Sequence, residues 1–151
     1  MEKLNVAVIG AGSMGKNHAR VYSSIKDVEL IAVCDIDDES KKIADEFGAK
    51  HYKNYNDMVK NEKLDAVSVC IPTKLHKNVA LDIIKNKINI LVEKPIAATT
   101  QEAKEIIDAA ERNNVKLMVG HIEQFNPVVM ELKKRIEKNE LGSILQVHCQ
   151  R

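Results

Sequence analysis

At 151 residues the chain has the length of one ordinary domain, able to bury roughly 68–70% of its unfolded surface. With 44% hydrophobic and 30% charged residues it is neither disordered nor membrane-embedded in composition. Its net charge of +1, with both signs interspersed, favours neither a nucleic-acid nor a membrane partner.

Apolar runs alternate with helical patterns from the first residues onward. No run approaches the ~18 residues that span a bilayer. MEKLNVAVIGAG passes from two charges straight into a strand-like run and glycines, with no signal-peptide layout. LNVAVIG is followed by an amphipathic stretch from Lys16 to Ser24. VELIAVCD leads to DESKKIADEFG, where Gly48 is placed as a C-cap. After a short KHY, Asn56 is expected to cap a brief helix around Met58 and Val59. DAVSVCI leads through Pro72 and Thr73 to LHKNVALDIIKN, and INILVE leads to the capping box Thr99-Thr100-Gln101-Glu102. VKLMVG follows, then Asn126-Pro127, a cap with proline at the first helical position.

Strands spaced by helices of this length predict right-handed βαβ crossovers. The fold class is therefore α/β, a doubly wound, mostly parallel sheet with both faces covered. The end of the chain departs from this pattern. SILQVHCQR alternates, with Leu145, Val147 and Cys149 on one face, and predicts a half-buried strand. Such a strand needs a partner for its edge. An oligomer can supply one, but the preferred expectation is that the polypeptide is the first part of a longer design. Cys34 and Cys70 end apolar runs without C-x-x-C spacing, and are expected to be buried free thiols in a reducing cytoplasm.

Residues 10–15, GAGSMG, fit G-x-G-x-x-G, and Asp35 stands 20 positions after Gly15. With a strand pattern before it and a helix pattern after it, this is the full fingerprint of a Rossmann-like dinucleotide-binding domain. Gly10 permits the turn, Gly12 lets the backbone approach a pyrophosphate, and Gly15 lets the helix pack on the strand. The N–H groups of Ser13 and Met14 then face the phosphates at the positive end of the helix dipole. Asp35 is placed to accept hydrogen bonds from an adenosine ribose. It would repel a 2′-phosphate, by about 4 kcal/mol for unit charges 4 Å apart at an effective dielectric of 20. No arginine follows it in DIDDES, so NAD(H) is expected over NADP(H).

Glu93-Lys94-Pro95 leaves the carboxyl end of an apolar strand, where ligands bind in such sheets. Pro72, Thr73 and His76 leave the strand before it, and His121 and Gln124 follow a third. An adjacent acid and base are most often a solvated surface pair. Here they converge on the edge that the glycine loop assigns to the dinucleotide, which sets Lys94 beside the nicotinamide.

GAGSMGKNHA (10–19), CD (34–35), CIPTKLH (70–76), EKP (93–95) and GHIEQFNP (120–127) lie in the order and on the elements that the Gfo/Idh/MocA oxidoreductases show. The chain resembles that family over essentially its whole length. The resemblance implies nicotinamide-dependent transfer of a hydride to or from a sugar, nucleotide-sugar or cyclitol hydroxyl. It implies that Lys94, the candidate catalytic residue, contacts the reacting hydroxyl and assists its proton transfer. Glu93 would hold Lys94 and the nicotinamide ribose, while Pro72, Thr73 and His76 would line the cofactor's reactive half. His121 is carried over as a cofactor contact, His18 as a packing or cap residue, and Pro95 as following a cis bond.

Two departures follow. Gln124 stands where many relatives carry arginine. The family's second half, with its antiparallel sheet, most of the substrate pocket, an Asp-x-x-x-His acid/base pair and the oligomer interface, is not in these 151 residues. Residues 1–122 are therefore expected to form the dinucleotide-binding domain. Residues 123–151 would be a linking helix and the first strand of an otherwise absent α/β substrate domain. The expected partners are a small-molecule substrate and, in the full-length form, further copies of the chain, with no metal, nucleic acid or membrane. GHIEQFNP leans toward the nucleotide-sugar branch. The competing reading is a stand-alone NAD-binding redox sensor or non-catalytic subunit. A Rossmann methyltransferase would leave Glu93-Lys94-Pro95 unexplained.

Overall fold

The computed structural model describes residues 3–148. Six strands form one parallel sheet: β1 (Leu4–Ile9), β2 (Val28–Cys34), β3 (Lys50–Tyr52), β4 (Ala66–Val69), β5 (Asn89–Val92) and β6 (Leu117–Val119). Between them run α1 (Ser13–Ser24), α2 (Ser40–Glu46), α3 (Tyr55–Asn61), α4 (His76–Lys85) and α5 (Thr100–Asn113). The strand order is β3-β2-β1-β4-β5-β6, so the chain reverses its direction of winding between β1 and β4. In open α/β sheets that crevice is the ligand site.

The strands read as near-continuous apolar runs because helices cover both faces of the sheet. Period-two alternation sorts their side chains into two cores. Ala7, Ile9, Val67, Val69, Ile90 and Val92 pack with Ile83 and Ile84 of α4 and Ile106 of α5. Val6 and Val8 pack on the opposite face with Ala19 of α1 and Ala44 of α2. In β2 an extra residue shifts the register between Val6 and Ala7. The resulting bulge puts Leu30 and Val33 on one face although they are three apart. Truncating a buried isoleucine such as Ile83 costs about 2–5 kcal/mol, so the α4 face, with His76, Val79, Ala80, Ile83 and Ile84 at helical spacing, anchors this half of the sheet.

Local chemistry explains most of the helix ends. The Thr99 hydroxyl accepts the Glu102 N–H at 3.1 Å, and Glu102 reaches back to the Ala98 N–H at 3.2 Å, one residue before the strict capping box. Gly48, with φ +68°, follows α2. The cap of α3 is Asn54 and not Asn56. Asn54 has the extended backbone a cap requires, and its side chain accepts the Asn56 N–H at 2.9 Å.

The chain divides into two compact units, residues 1–120 and 121–151. In the second, a 3₁₀ turn (Ile122–Phe125) precedes α6 (Pro127–Glu137), whose cap Asn126 accepts the Val128 N–H at 3.0 Å. The strand expected from residue 143 is not formed as far as His148, and Leu145 is 95% exposed. The alternating pattern is present, but no strand among the described residues offers it a hydrogen-bond ladder. Cys149 lies outside the described residues.

Candidate functional site

The glycine loop follows from hard sterics at two positions. Gly10 has φ +90°, and a Cβ there would sit 2.4 Å from the Cys70 carbonyl oxygen, so the loops leaving β1 and β4 are in contact across the switch point. At Gly15 an added Cβ would lie 1.7 Å from the Gly10 carbonyl oxygen, so only glycine lets α1 start against the turn. Gly12 differs: a Cβ there meets open space. The first-turn N–H groups of α1, including Ser13 and Met14, have no intrahelical acceptor, and Gly12 caps the helix without a side chain. These N–H groups are thus open at the helix start, the arrangement that suits an anion.

Beside it lies a cleft of about 560 Å³, lined by Gly10, Gly12, Asp35, Ile36, Tyr55 and Pro72 among others. This is within the range for cofactor sites. Asp35 follows β2 at the wall of the cleft. Its Oδ2 accepts the Ala11 N–H at 2.6 Å and its Oδ1 the Asp37 N–H at 3.0 Å. A carboxylate has about four lone-pair sites, so capacity remains for ribose hydroxyls. Lys53 lines the same cleft, with its amine paired to Asp38 at 2.7 Å. Cys34 and Cys70 also face it; burial pushes both thiols up to about 12, aided by the charge of Asp35 on Cys34 and of Glu93 on Cys70. Both are free, Cys34 buried and Cys70 only half-buried.

Glu93 and Lys94 leave β5, next to β4 in the sheet. Glu93 is buried, 6% exposed, whereas Lys94 is exposed. The Lys94–Pro95 peptide is cis. Glu93 Oε2 accepts the Lys94 N–H at 3.1 Å, and Oε1 lies 3.0 Å from His18 Nε2. His18 Nδ1 in turn lies 3.0 Å from the Ser68 hydroxyl, which meets the Tyr22 hydroxyl at 2.6 Å. Gly120 is glycine for a related reason: a Cβ there would stand 2.8 Å from Glu93 Oε1.

His76 sits differently from a pocket-lining residue. It is 1% exposed, with Nδ1 2.9 Å from the Pro95 carbonyl and Nε2 2.8 Å from the Ile71 carbonyl. Both ring nitrogens are engaged, so it ties the β4 exit to the β5 exit and can act on a ligand only through those loops. Thr73, itself half-buried, opens a 3₁₀ turn just before α4. His121 opens the second unit, exposed, its carbonyl accepting the Gln124 N–H at 3.1 Å.

The sequence reading missed the Tyr22–Ser68–His18 group. One signal was available: Ser68 is a polar residue inside the apolar run AVSVC, and a buried hydroxyl needs a partner.

Residues 4–121 match the oxidoreductase family described by its NAD-binding Rossmann fold, GFO_IDH_MocA. The chain belongs to that family. Among Gfo/Idh/MocA relatives, the rhizopine catabolism protein MocA of Rhizobium meliloti is 32% identical over 149 residues, 99% of this chain and 47% of that protein. The myo-inositol 2-dehydrogenase of Lactobacillus plantarum superposes with a TM-score of 0.89 at 28% identity, covering 95% of this chain and 43% of that one. The WlbA dehydrogenase of Chromobacterium violaceum, solved with NADH and UDP-GlcNAcA, has a TM-score of 0.89 at 26% identity, covering 94% and 42%. The chain thus spans less than half the length of these Gfo/Idh/MocA proteins and corresponds to their NAD-binding Rossmann portion.

Proposed function

We propose that this chain forms the NAD(H)-binding, lysine-bearing portion of a dehydrogenase that moves a hydride between nicotinamide and a hydroxyl or ketone of a sugar, nucleotide-sugar or cyclitol. The observation that carries the reading is the Glu93–Lys94 turn: a buried carboxylate, fixed on both oxygens, sets an exposed lysine at the strand end beside the switch-point loops. The names of the family relatives supply the substrate class.

When bound, the nicotinamide supplies a two-electron hydride acceptor or donor. The protein's contribution is binding and proton handling. The N–H groups of Ser13 and Met14, with the clear approach over Gly12, hold the pyrophosphate, and Asp35 holds the adenosine ribose. Pro72 and Thr73 shape the rim toward the nicotinamide. Lys94 holds the reacting oxygen and exchanges a proton with it as the carbon changes oxidation state. Further copies of the chain assemble with it in the complete enzyme, and its free thiols suit a reducing, cytoplasmic setting.

NAD(H) is preferred to NADP(H). A 2′-phosphate at Asp35 would face Asp37, Asp38 and Glu39 as well, and the cation of Lys53 is already paired with Asp38. Calorimetry with NADH and NADPH on this chain tests the preference; equal affinities would refute it. In the complete enzyme, Lys94→Ala should collapse turnover with NADH affinity close to unchanged, and near-normal turnover would remove Lys94 from the chemistry. The competing reading, a stand-alone NAD-binding redox sensor or non-catalytic subunit, leaves the buried Glu93 beside the exposed Lys94 without a purpose.

A further inference from the structure

We propose that His18 is a positioning residue for the Glu93–Lys94 turn, locked in its Nε2–H tautomer by a hydroxyl chain that runs from Tyr22 through Ser68. The inference deepens the reading of Lys94 given above and rests on it for its functional meaning.

The residues meet because of helix and strand periodicity. Gly15, His18, Ala19 and Tyr22 are spaced three and four apart, so they form the stripe of α1 that faces the sheet. Ser68 lies between Val67 and Val69, which point into the opposite core, so its hydroxyl faces α1. It is 0% exposed. Strand order then brings the exit of β5 alongside β4, and Glu93 completes the row.

Proton accounting gives the row a direction. The Glu93 carboxylate only accepts, so the His18 nitrogen 3.0 Å from Oε1 carries the hydrogen, as the Lys94 amide does toward Oε2. In the neutral ring the other nitrogen, Nδ1, then accepts from the Ser68 hydroxyl, whose oxygen accepts from the Tyr22 hydroxyl. Burial raises the Tyr22 phenol above its usual value and so keeps it a donor. Every polar atom in the row is satisfied, and no buried side-chain nitrogen or oxygen among the described residues lacks a partner. Gly120 closes the remaining side, because its missing Cβ is the space the carboxylate fills. Glu93 is therefore held from α1, from its own turn and from the end of β6. The turn that presents Lys94 inherits that rigidity.

A serine, a histidine and a carboxylate in sequence also describe a hydrolytic triad. That alternative fails on access, since nothing can reach a hydroxyl that is 0% exposed. The row acts inward, on the placement of Glu93.

The test uses the whole chain. Two-bond ¹H–¹⁵N spectra of the histidine rings should show His18 as the Nε2–H tautomer, and Ser68→Ala should convert it to a mixture. Amide hydrogen exchange then reads the turn itself. In His18→Leu the Lys94 amide should exchange about tenfold faster or more, with the amides of Val8 and Val67 unchanged, and His18→Gln, which restores an N–H donor, should recover protection. A wild-type ring in the Nδ1–H form, or Lys94 exchange indifferent to His18→Leu, overturns the proposal; should that variant fail to fold, the wild-type tautomer and its response to Ser68→Ala still decide. NADH calorimetry on the same wild-type sample separates the two readings. Loss of NADH binding would sink the proposed function without touching the tautomer result.

Discussion

Asp35 Oδ2 accepts the Ala11 N–H at 2.6 Å, so the acid that follows β2 is bonded directly to the glycine loop that follows β1. One carboxylate thereby fixes the loop and the turn that follows it, and in the proposed reading its remaining lone pairs serve the ribose. Fixing the loop before the ligand arrives removes part of the ordering penalty of binding.

Asp35→Ala should therefore weaken NADH more than the loss of a ribose contact alone implies. About 2–3 kcal/mol, from one charged hydrogen bond and a loosened loop, is about 30- to 150-fold in Kd. NADPH should lose less, because the repulsion of its 2′-phosphate goes as well, so the two affinities converge. Titration calorimetry with both nucleotides reads the change.

Gly12 and Gly15 make a discriminating pair. Gly12→Ala places its Cβ in open space, so thermal stability should barely move while NADH affinity falls at least about tenfold, because the methyl occupies the approach to the backbone. Gly15→Ala drives its Cβ into the Gly10 carbonyl at 1.7 Å and should cost about 3 kcal/mol or more of unfolding free energy. Urea melts and calorimetry of both variants separate a ligand defect from a folding defect.

His76→Leu removes the bridge between the Ile71 and Pro95 carbonyls. A neutral imidazole has one N–H, so one part-buried carbonyl loses its donor, at about 1–3 kcal/mol, and the exits of β4 and β5 lose their tie. The expected outcome is an unfolding free energy lowered by that amount in urea melts, with NADH affinity reduced through the displaced rim.

The thiols give a pH prediction with a definite sign. Burial raises Cys34 and Cys70 from 9.0 to about 12 in the folded chain. The folded state thus binds more protons than the unfolded state between those values, and stability falls as pH rises through that window. Their contribution is intact below about pH 9 and lost toward pH 12. Replacing both with alanine should flatten the stability profile from pH 9 to 11, and thiol labelling at pH 8 should be slow until urea is added.

Much of this was legible from the residues. Apolar period, capping residues and glycine punctuation gave the chain order of the apolar strands and the main helices, since those signals act within a few residues of where they are read; the short β3, without an apolar run, is not assigned by them. Asn54, chosen over Asn56 at α3, shows the usual limit at boundaries, where neighbouring asparagines compete and backbone geometry decides. The strand expected after Gly142 shows a different limit: alternation is a local property, whereas a ladder needs a second strand.

By itself the sequence determined a dinucleotide cradle and an acid–lysine pair at a strand exit, because glycine spacing and chain order impose both. Only the tertiary structure decided that His18 holds Glu93 across 75 residues, that Ser68 turns the ring across 50, and that His76 is a tie between loops. The reason is physical. Hydrogen-bond partners are chosen by which strands lie side by side, and the order β1-β4-β5 is set by packing of the whole sheet, which no local period encodes.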